Sequence, residues 1–132
     1  MTKAFSSKTR LALASLACVL ISVACTTFPA PEFKGIKAWI NSEPLTLKEL
    51  RGNVVLVDFW TYSCVNCIRT FPFLRQWNEK YADKGLVIIG VHSPEFEFEK
   101  DYENVLKTTQ DNGITWPVAQ DNDFTTWNHY GN

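Results

Sequence analysis

Two cysteines separated by two residues, in the segment Cys64-Val65-Asn66-Cys67, are the clearest carriers of chemistry in the sequence. On an α-helix, positions i and i+3 lie about 60° apart around the axis, so the two sulfur atoms share one face. Their Cα atoms then lie near the roughly 5–6 Å separation that a disulfide prefers. The pair therefore predicts a redox-active Cys64–Cys67 disulfide.

The position of the pair along the chain predicts different roles for the two thiols. An apolar run ends at Trp60, so Cys64 falls where a strand gives way to a helix. At a helix start, unpaired N–H groups and the positive end of the helix dipole stabilise a thiolate and lower the pKa of its thiol. Cys64 is therefore the predicted attacking nucleophile, and Cys67, one turn deeper, is the predicted resolving thiol.

A structural disulfide and half of a Cys₄ zinc site are the alternative interpretations of the same pair. Zinc would need a second pair of ligand cysteines, and none remains once the N-terminal export signal is removed. A purely structural bridge would close too small a loop to add much stability. Thiol redox chemistry without a metal is therefore the favoured interpretation.

Two residues of the preceding apolar run are further site candidates. Asp58 interrupts that run six residues before Cys64, and burial of a carboxylate raises its pKa. A carboxylate of this kind can accept the proton of Cys67, although a carboxylate satisfied by backbone N–H groups is the alternative. Trp60 is predicted to pack beside the disulfide, with core packing alone as its alternative role.

Hydrophobic periodicity predicts the elements that position these residues. The run Val54–Trp60 is continuously apolar, which is typical of a strand buried on both faces. A helix is predicted from about Cys64 to Ala82, with an inward face of five residues: Ile68, Phe71, Leu74, Trp77 and Tyr81. The other predicted elements are strands over Ile36–Ile40, Leu86–Val91 and Trp116–Ala119 and helices over Glu99–Asn112 and Phe124–Tyr130. Alternating strands and helices predict an α/β fold with a parallel sheet.

The N-terminus carries the pattern of an export signal. Three basic residues in the first ten positions precede an apolar run, Leu11–Ala24, that is shorter than the ~20 residues a membrane-spanning helix needs. Residues 1–24 are therefore predicted to be a signal peptide, which places the mature chain in an oxidising compartment. The small residues before Cys25 resemble a bacterial lipobox, which makes Cys25 a lipidation candidate. Simple cleavage after Ala24 is the alternative.

Length and charge limit the other functions. The 132 residues, 45% hydrophobic and 20% charged, suit one globular domain, predicted over residues 35–132 after a linker at 25–34. Three of the 13 basic residues lie in the first ten positions, so acidic residues outnumber basic ones in the remainder. Nucleic-acid binding by phosphate neutralisation is therefore excluded.

The site segment resembles a known family. Val57-Asp58-Phe59-Trp60, followed by Cys64-x-x-Cys67 and Pro72, is similar to the active-site segment of thioredoxins. The wider pattern, including Trp116-Pro117-Val118-Ala119-Gln120-Asp121, resembles the extracytoplasmic TlpA-like and DipZ-like branch of the AhpC/TSA redoxins. The resemblance implies a thioredoxin-like βαβα fold with a central, mostly parallel sheet and an N-terminal strand extension. It also implies dithiol–disulfide exchange with proteins in the periplasm or cell envelope, no bound cofactor, and a membrane-embedded thiol reductant as donor.

Some residues depart from that family and leave alternatives open. The segment Thr61-x-x-Cys64 resembles a peroxiredoxin site, so a thiol peroxidase is one alternative. Val57, however, stands where that family has proline. A copper-binding module is a second alternative, because His92 and His129 could be metal ligands. Val65-Asn66 replaces the Gly-Pro of ordinary thioredoxins, so the direction of electron flow stays open.

The resemblance also leads us to expect a C-terminal ββα unit, which this chain lacks because it ends at Asn132. We therefore expect an incomplete thioredoxin-like domain, with Val54–Trp60 at an unfilled sheet edge. Such a chain would keep a reactive cysteine pair but would have low stability and low catalytic turnover. An inactive fragment is a further alternative.

The export signal gives a direct test by mass spectrometry. Protein recovered from a bacterial envelope should begin at Cys25, with or without acyl chains, because the basic residues and the Leu11–Ala24 run direct export and cleavage. Intact protein beginning at Met1 in the cytosol would contradict this prediction.

Overall fold

A computed structural model describes residues 28–132, in which four strands form one sheet. The strands are β1 (Trp39–Ile40), β2 (Val54–Trp60), β3 (Leu86–His92) and β4 (Val118–Gln120). Their spatial order is β1-β4-β3-β2. β3 pairs in parallel with both β2 and β4, whereas β1 pairs antiparallel with β4. The predicted α/β class, with a mostly parallel sheet and an N-terminal strand extension, is confirmed.

Three α-helices accompany the sheet: α1 (Val65–Tyr81), α2 (Tyr102–Asp111) and α3 (Thr125–Tyr130). α1 passes through a 3₁₀ turn into Gly85, whose φ of 90° is a conformation that glycine adopts without a Cβ clash. Within residues 28–132, no helix has the length and apolar character needed to cross a membrane.

Several predictions concern residues outside this part of the chain. The predicted signal peptide (1–24), the lipidation candidate Cys25 and the first residues of the predicted linker lie outside the described residues. The expected ββα unit would follow Asn132, so its absence from the domain stays a prediction.

The second predicted helix begins three residues later than the sequence indicates. The side chain of Asp101 accepts a hydrogen bond from the Asn104 N–H at 3.1 Å and so caps α2. The preceding residues, Glu97–Lys100, form a separate 3₁₀ turn. Glu99, predicted to open the helix, is therefore free to point elsewhere.

The expectation that β2 is buried on both faces is wrong. Its residues are half-buried except for exposed Val54 and buried Trp60, whereas the last five residues of β3 are all buried. Within the described sheet β2 is an edge strand with one neighbour, so one of its long sides lacks a packing partner. The predicted inward face of α1 is accordingly only part of the core: Phe71 and Leu74 are buried, while Ile68, Trp77 and Tyr81 are exposed.

The core below the site requires a glycine in the middle of β3. A Cβ atom at Gly90 would come within 2.8 Å of the Trp60 Nε1 and 3.4 Å of the Trp116 Nε1. Both tryptophans are buried, with 3% and 2% of their surface exposed. The absence of a side chain at Gly90 therefore lets the two indoles pack against the sheet.

Gly90→Ala tests this packing. We expect a loss of about 1–3 kcal/mol in the free energy of unfolding, because the added methyl overpacks the core. Urea unfolding measures the loss. In a double-mutant cycle, Trp60→Phe should relieve part of the cost of Gly90→Ala because it removes the nearest atom; strictly additive losses would contradict the proposed contact.

Candidate active site

The two cysteines of the predicted pair lie at the start of α1. Cys64 is the N-cap residue, with an extended backbone (φ −76°, ψ 106°), and Cys67 lies in the first turn. The Cys67 N–H donates to the Cys64 Sγ at 3.4 Å, which is the usual capping hydrogen bond with sulfur as the acceptor. Both cysteines are free thiols, so the structure shows the reduced pair.

The environments of the two thiols push their acidities apart. Hydrogen bonds from the Cys67 thiol and N–H lower the pKa of Cys64 below its ordinary value of 9.0. Burial and the hydrogen bond to Cys64 raise the pKa of Cys67 to about 11. Cys64 is therefore the more acidic thiol of the pair, and Cys67 keeps its proton at neutral pH.

Asp58 lies on β2, the strand that precedes the cysteine pair. Its Oδ2 atom is buried and has no hydrogen-bond partner within residues 28–132, so backbone N–H groups do not satisfy this oxygen. Burial raises the pKa of Asp58 to about 6. Its charge in turn contributes to the raised pKa of Cys67, which shows that the two groups interact.

Trp60 ends β2 and belongs to the hydrophobic core, against which Cys67 packs. Its ring packs edge-to-face against Phe71, with 5.2 Å between ring centroids, and against His92 at 5.0 Å. Trp60 and Cys67 also line one cavity of about 170 Å³. The other residues of its wall are Phe59, Thr61, Ser93, Glu95, Phe124 and Trp127. Trp60 therefore contributes to the core and also borders the space beside the resolving cysteine.

The sequence did not predict the complete burial of two titratable residues near the cysteine pair, Glu99 and His92. Glu99 is completely buried and accepts hydrogen bonds from three backbone N–H groups, although its spacing from Glu95 and Glu97 suggested an exposed helix start. His92 is also completely buried, and burial lowers its pKa to about 4. His92 is buried as the last residue of β3, between β2 and β4, whereas Glu99 is buried where the loop after β3 meets the loop after β2.

The two histidines considered as copper ligands have different environments. His92 stacks on the Tyr62 ring with 5.7 Å between centroids, whereas His129 is exposed near the end of α3. In the part of the chain that the structure describes, no three His, Cys, Asp or Glu side chains come together in a metal-binding group.

A cysteine pair that caps a helix after a parallel strand, on a sheet of this order, defines a thioredoxin-like dithiol protein. The AhpC/TSA family matches residues 27–132, and the chain belongs to that family.

Curated relatives and a solved structure agree with this assignment. Protein DipZ of Mycobacterium tuberculosis is 50% identical over 106 residues, which make up 78% of this chain and 15% of DipZ. Thiol-disulfide oxidoreductase YkuV of Bacillus subtilis is 33% identical over 105 residues, 79% of this chain and 70% of YkuV. The solution structure of a thioredoxin-like protein in the oxidized form matches with a TM-score of 0.72 and 33% identity, over 79% of this chain and 70% of that protein. The chain thus spans a small part of DipZ but most of YkuV.

Asp58→Asn tests the buried charge through the pH dependence of stability. Folding raises the pKa of Asp58 from 3.8 to about 6, so stability falls as pH rises through that window and stays lower above it. Asp58→Asn carries no charge and should therefore be more stable than the parent by about 1–2 kcal/mol above pH 7, allowing for partial solvent screening. The difference should vanish near about pH 4.

Urea unfolding at the two pH values measures this effect. The matched control is Asp83→Asn, because Asp83 is an exposed aspartate with 75% of its side chain accessible. Its effect should stay within about 0.5 kcal/mol at both pH values. An equal effect of Asp58→Asn at low and neutral pH would argue against a buried charge.

Proposed function

We propose that this chain exchanges the Cys64–Cys67 dithiol and disulfide with protein substrates in the bacterial cell envelope. The observation that carries the proposal is the asymmetry of the pair: Cys64 caps α1 with a lowered pKa, while burial raises the pKa of Cys67 to about 11. A thiolate attacks disulfides and a thiol does not. The pair is thus suited to reaction in a fixed order.

In the reducing direction, the Cys64 thiolate attacks one sulfur of a substrate disulfide. A mixed disulfide forms, and the other substrate sulfur leaves as a thiolate. Cys67 then loses its proton and attacks the Cys64 sulfur, which releases the second substrate thiolate and leaves a Cys64–Cys67 disulfide. Two electrons pass to the substrate, and a reverse sequence of the same steps would oxidise a dithiol.

Asp58 is the proposed acceptor for the Cys67 proton. With a pKa of about 6, it is mainly ionised at neutral pH, whereas Cys67, with a pKa of about 11, holds its proton. Attack on the mixed disulfide requires that proton to leave, and a carboxylate acting on the same thiol can accept it. Trp60 keeps its proposed role of packing beside the pair.

The envelope location and the partners are further parts of the proposal. Cysteine pairs that reduce substrates need a source of two electrons and two protons, and a membrane-embedded thiol reductant is the proposed donor. Cleavage before Cys25, with or without its lipidation, would place the domain beside such a donor. Support comes from the N-terminal sequence pattern and from the relationship to DipZ.

A thiol peroxidase is the weaker candidate. Thr61 is the residue of the Thr61-x-x-Cys64 segment that resembles a peroxiredoxin site. Its hydroxyl lies 3.4 Å from the His92 Nε2. That contact directs it toward a buried ring. Consumption of hydrogen peroxide by the reduced chain, measured beside insulin reduction, separates the two activities.

Trapping variants test the order of attack. Cys67→Ser should accumulate a mixed disulfide with insulin through Cys64, because the resolving thiol is gone, and Cys64→Ser should accumulate none. Asp58→Asn should slow resolution by about tenfold or more while leaving the initial attack nearly unchanged. Non-reducing electrophoresis and quenched-flow alkylation measure the two steps.

Each part of this scheme has its own contradicting result. Equal trapping by both serine variants, or by neither, would contradict the assigned order of attack. An unchanged resolution rate in Asp58→Asn would return that carboxylate to a structural role. Rapid peroxide turnover without insulin reduction would favour the peroxidase.

A further inference from the structure

Glu99 is a fully buried carboxylate that joins two loops. Its Oε2 accepts hydrogen bonds from the Glu95 N–H at 2.6 Å and the Phe96 N–H at 3.0 Å, both in the loop after β3. Its Oε1 accepts one from the Ser63 N–H at 3.2 Å, in the loop after β2. Ser63 is the residue immediately before Cys64, so this one side chain connects the second loop to the site.

Other contacts bring the same two loops together. The Tyr62 hydroxyl donates to the Phe98 carbonyl at 3.0 Å, and the Ser93 N–H donates to the Trp60 carbonyl at 3.0 Å. Of these contacts, the Glu99 carboxylate is the one that reaches the residue next to Cys64. The N-cap conformation of Cys64 depends on the path of that residue, because the cap must place sulfur within reach of the Cys67 N–H.

We propose that Glu99 is a positioning residue for the nucleophile: by holding the Ser63 N–H, it fixes Cys64 in the capping geometry in which its sulfur accepts the hydrogen bond from the Cys67 N–H. This inference rests on the proposed role of Cys64, but it concerns the reactivity of that thiol alone. It can therefore be tested without any protein substrate.

The charge of Glu99 is maintained by its hydrogen bonds. Burial by itself raises the pKa of this carboxyl, but the side chains of Ser63 and Thr61 and the N–H groups of Phe96 and Glu95 together lower it to about 2. A carboxylate presents two acceptor oxygens, and both are used here. An amide presents one, so Glu99→Gln must leave either the Ser63 N–H or the two N–H groups of the other loop without a partner.

A positioning role and a simple charge effect predict opposite signs. If Glu99 acted on Cys64 mainly through its negative charge, Glu99→Gln would lower the pKa of Cys64. If Glu99 acts through the loop, Glu99→Gln loosens the cap and raises that pKa. Among nearby acidic groups, the charge of Glu95 raises the pKa of Cys64, so Glu95→Gln gives a reference for a pure charge effect, with a shift downward.

The experiment compares Glu99→Gln with Glu97→Gln in the full chain. Glu97 belongs to the same 3₁₀ turn, but 87% of its side chain is exposed, where it pairs with Lys100 at 2.7 Å. Alkylation of Cys64 by iodoacetamide is followed against pH in a background that carries Cys18→Ala, Cys25→Ala and Cys67→Ala, so that Cys64 is the one thiol that reacts. The redox potential of the intact pair is measured against glutathione, and thermal melting reports the fold.

For Glu99→Gln we expect a higher pKa of Cys64 and alkylation at about pH 7 slowed by roughly threefold or more, since the thiolate fraction falls. The potential of the pair should become more negative, because the reduced form loses thiolate stabilisation. The melting temperature should fall by roughly 4–8 °C. Glu97→Gln should leave all three quantities unchanged.

Other results would overturn the proposal. An unchanged or lower pKa of Cys64 in a folded Glu99→Gln protein assigns Glu99 to stability or to charge alone. If Glu99→Gln does not fold, Glu99→Asp decides: it keeps the negative charge, but its shorter side chain withdraws the carboxylate from the Ser63 N–H, and a shift of the Cys64 pKa upward supports the proposal while no shift overturns it. In the unaltered chain, exchange of the Ser63 amide proton as fast as a free peptide also overturns it. Failure of insulin reduction would affect none of these readouts.

Discussion

The parallel pairing of β2 with β3 is the constraint on which the site depends. Seven residue pairs in register, from Val54 with Leu86 to Trp60 with His92, bring the carboxyl ends of the two strands to the same level. The loops that follow must then run side by side, and α1 can begin only at their edge. Crevices outside the carboxyl ends of parallel strands are where open α/β sheets place their functional groups. The cysteine pair lies there because α1 follows the carboxyl end of β2 after only four residues.

Two carboxyl groups near this edge show how local hydrogen bonding determines whether a buried carboxyl group is ionised. Asp58 has a buried oxygen without a partner, and its pKa rises to about 6. Glu99 is more deeply buried, but hydrogen bonds from both loops lower its pKa to about 2. The same type of group therefore serves a proposed proton transfer in one place and a proposed positioning role in the other. Environments that separate the pKa values of similar groups are typical of acid–base sites.

The difference between the two thiols follows from the same principle at shorter range. The position of Cys64 at the cap gives its sulfur a hydrogen-bond donor, whereas Cys67, in the first turn of the helix, lines a cavity together with Trp60. Burial raises the pKa of Cys67, and donors lower that of Cys64. A reaction in two ordered steps needs such a difference, because two equally acidic thiols would compete for the same substrate sulfur.

The sequence by itself determined the order of strands and helices, the α/β class and the position of the cysteine pair at a helix start. These are local properties: apolar β-branched runs predict strands, and a Cys-x-x-Cys segment after such a run needs only its neighbours to be recognised. Only the tertiary structure decided which apolar runs are buried. Val54–Trp60 and Leu86–His92 are similar in composition, yet most residues of the first run are only half-buried, whereas the last five residues of the second are all buried. The burial of Glu99 was likewise decided by the packing of two loops that are more than thirty residues apart in the chain, and no residue pattern within either loop records that contact.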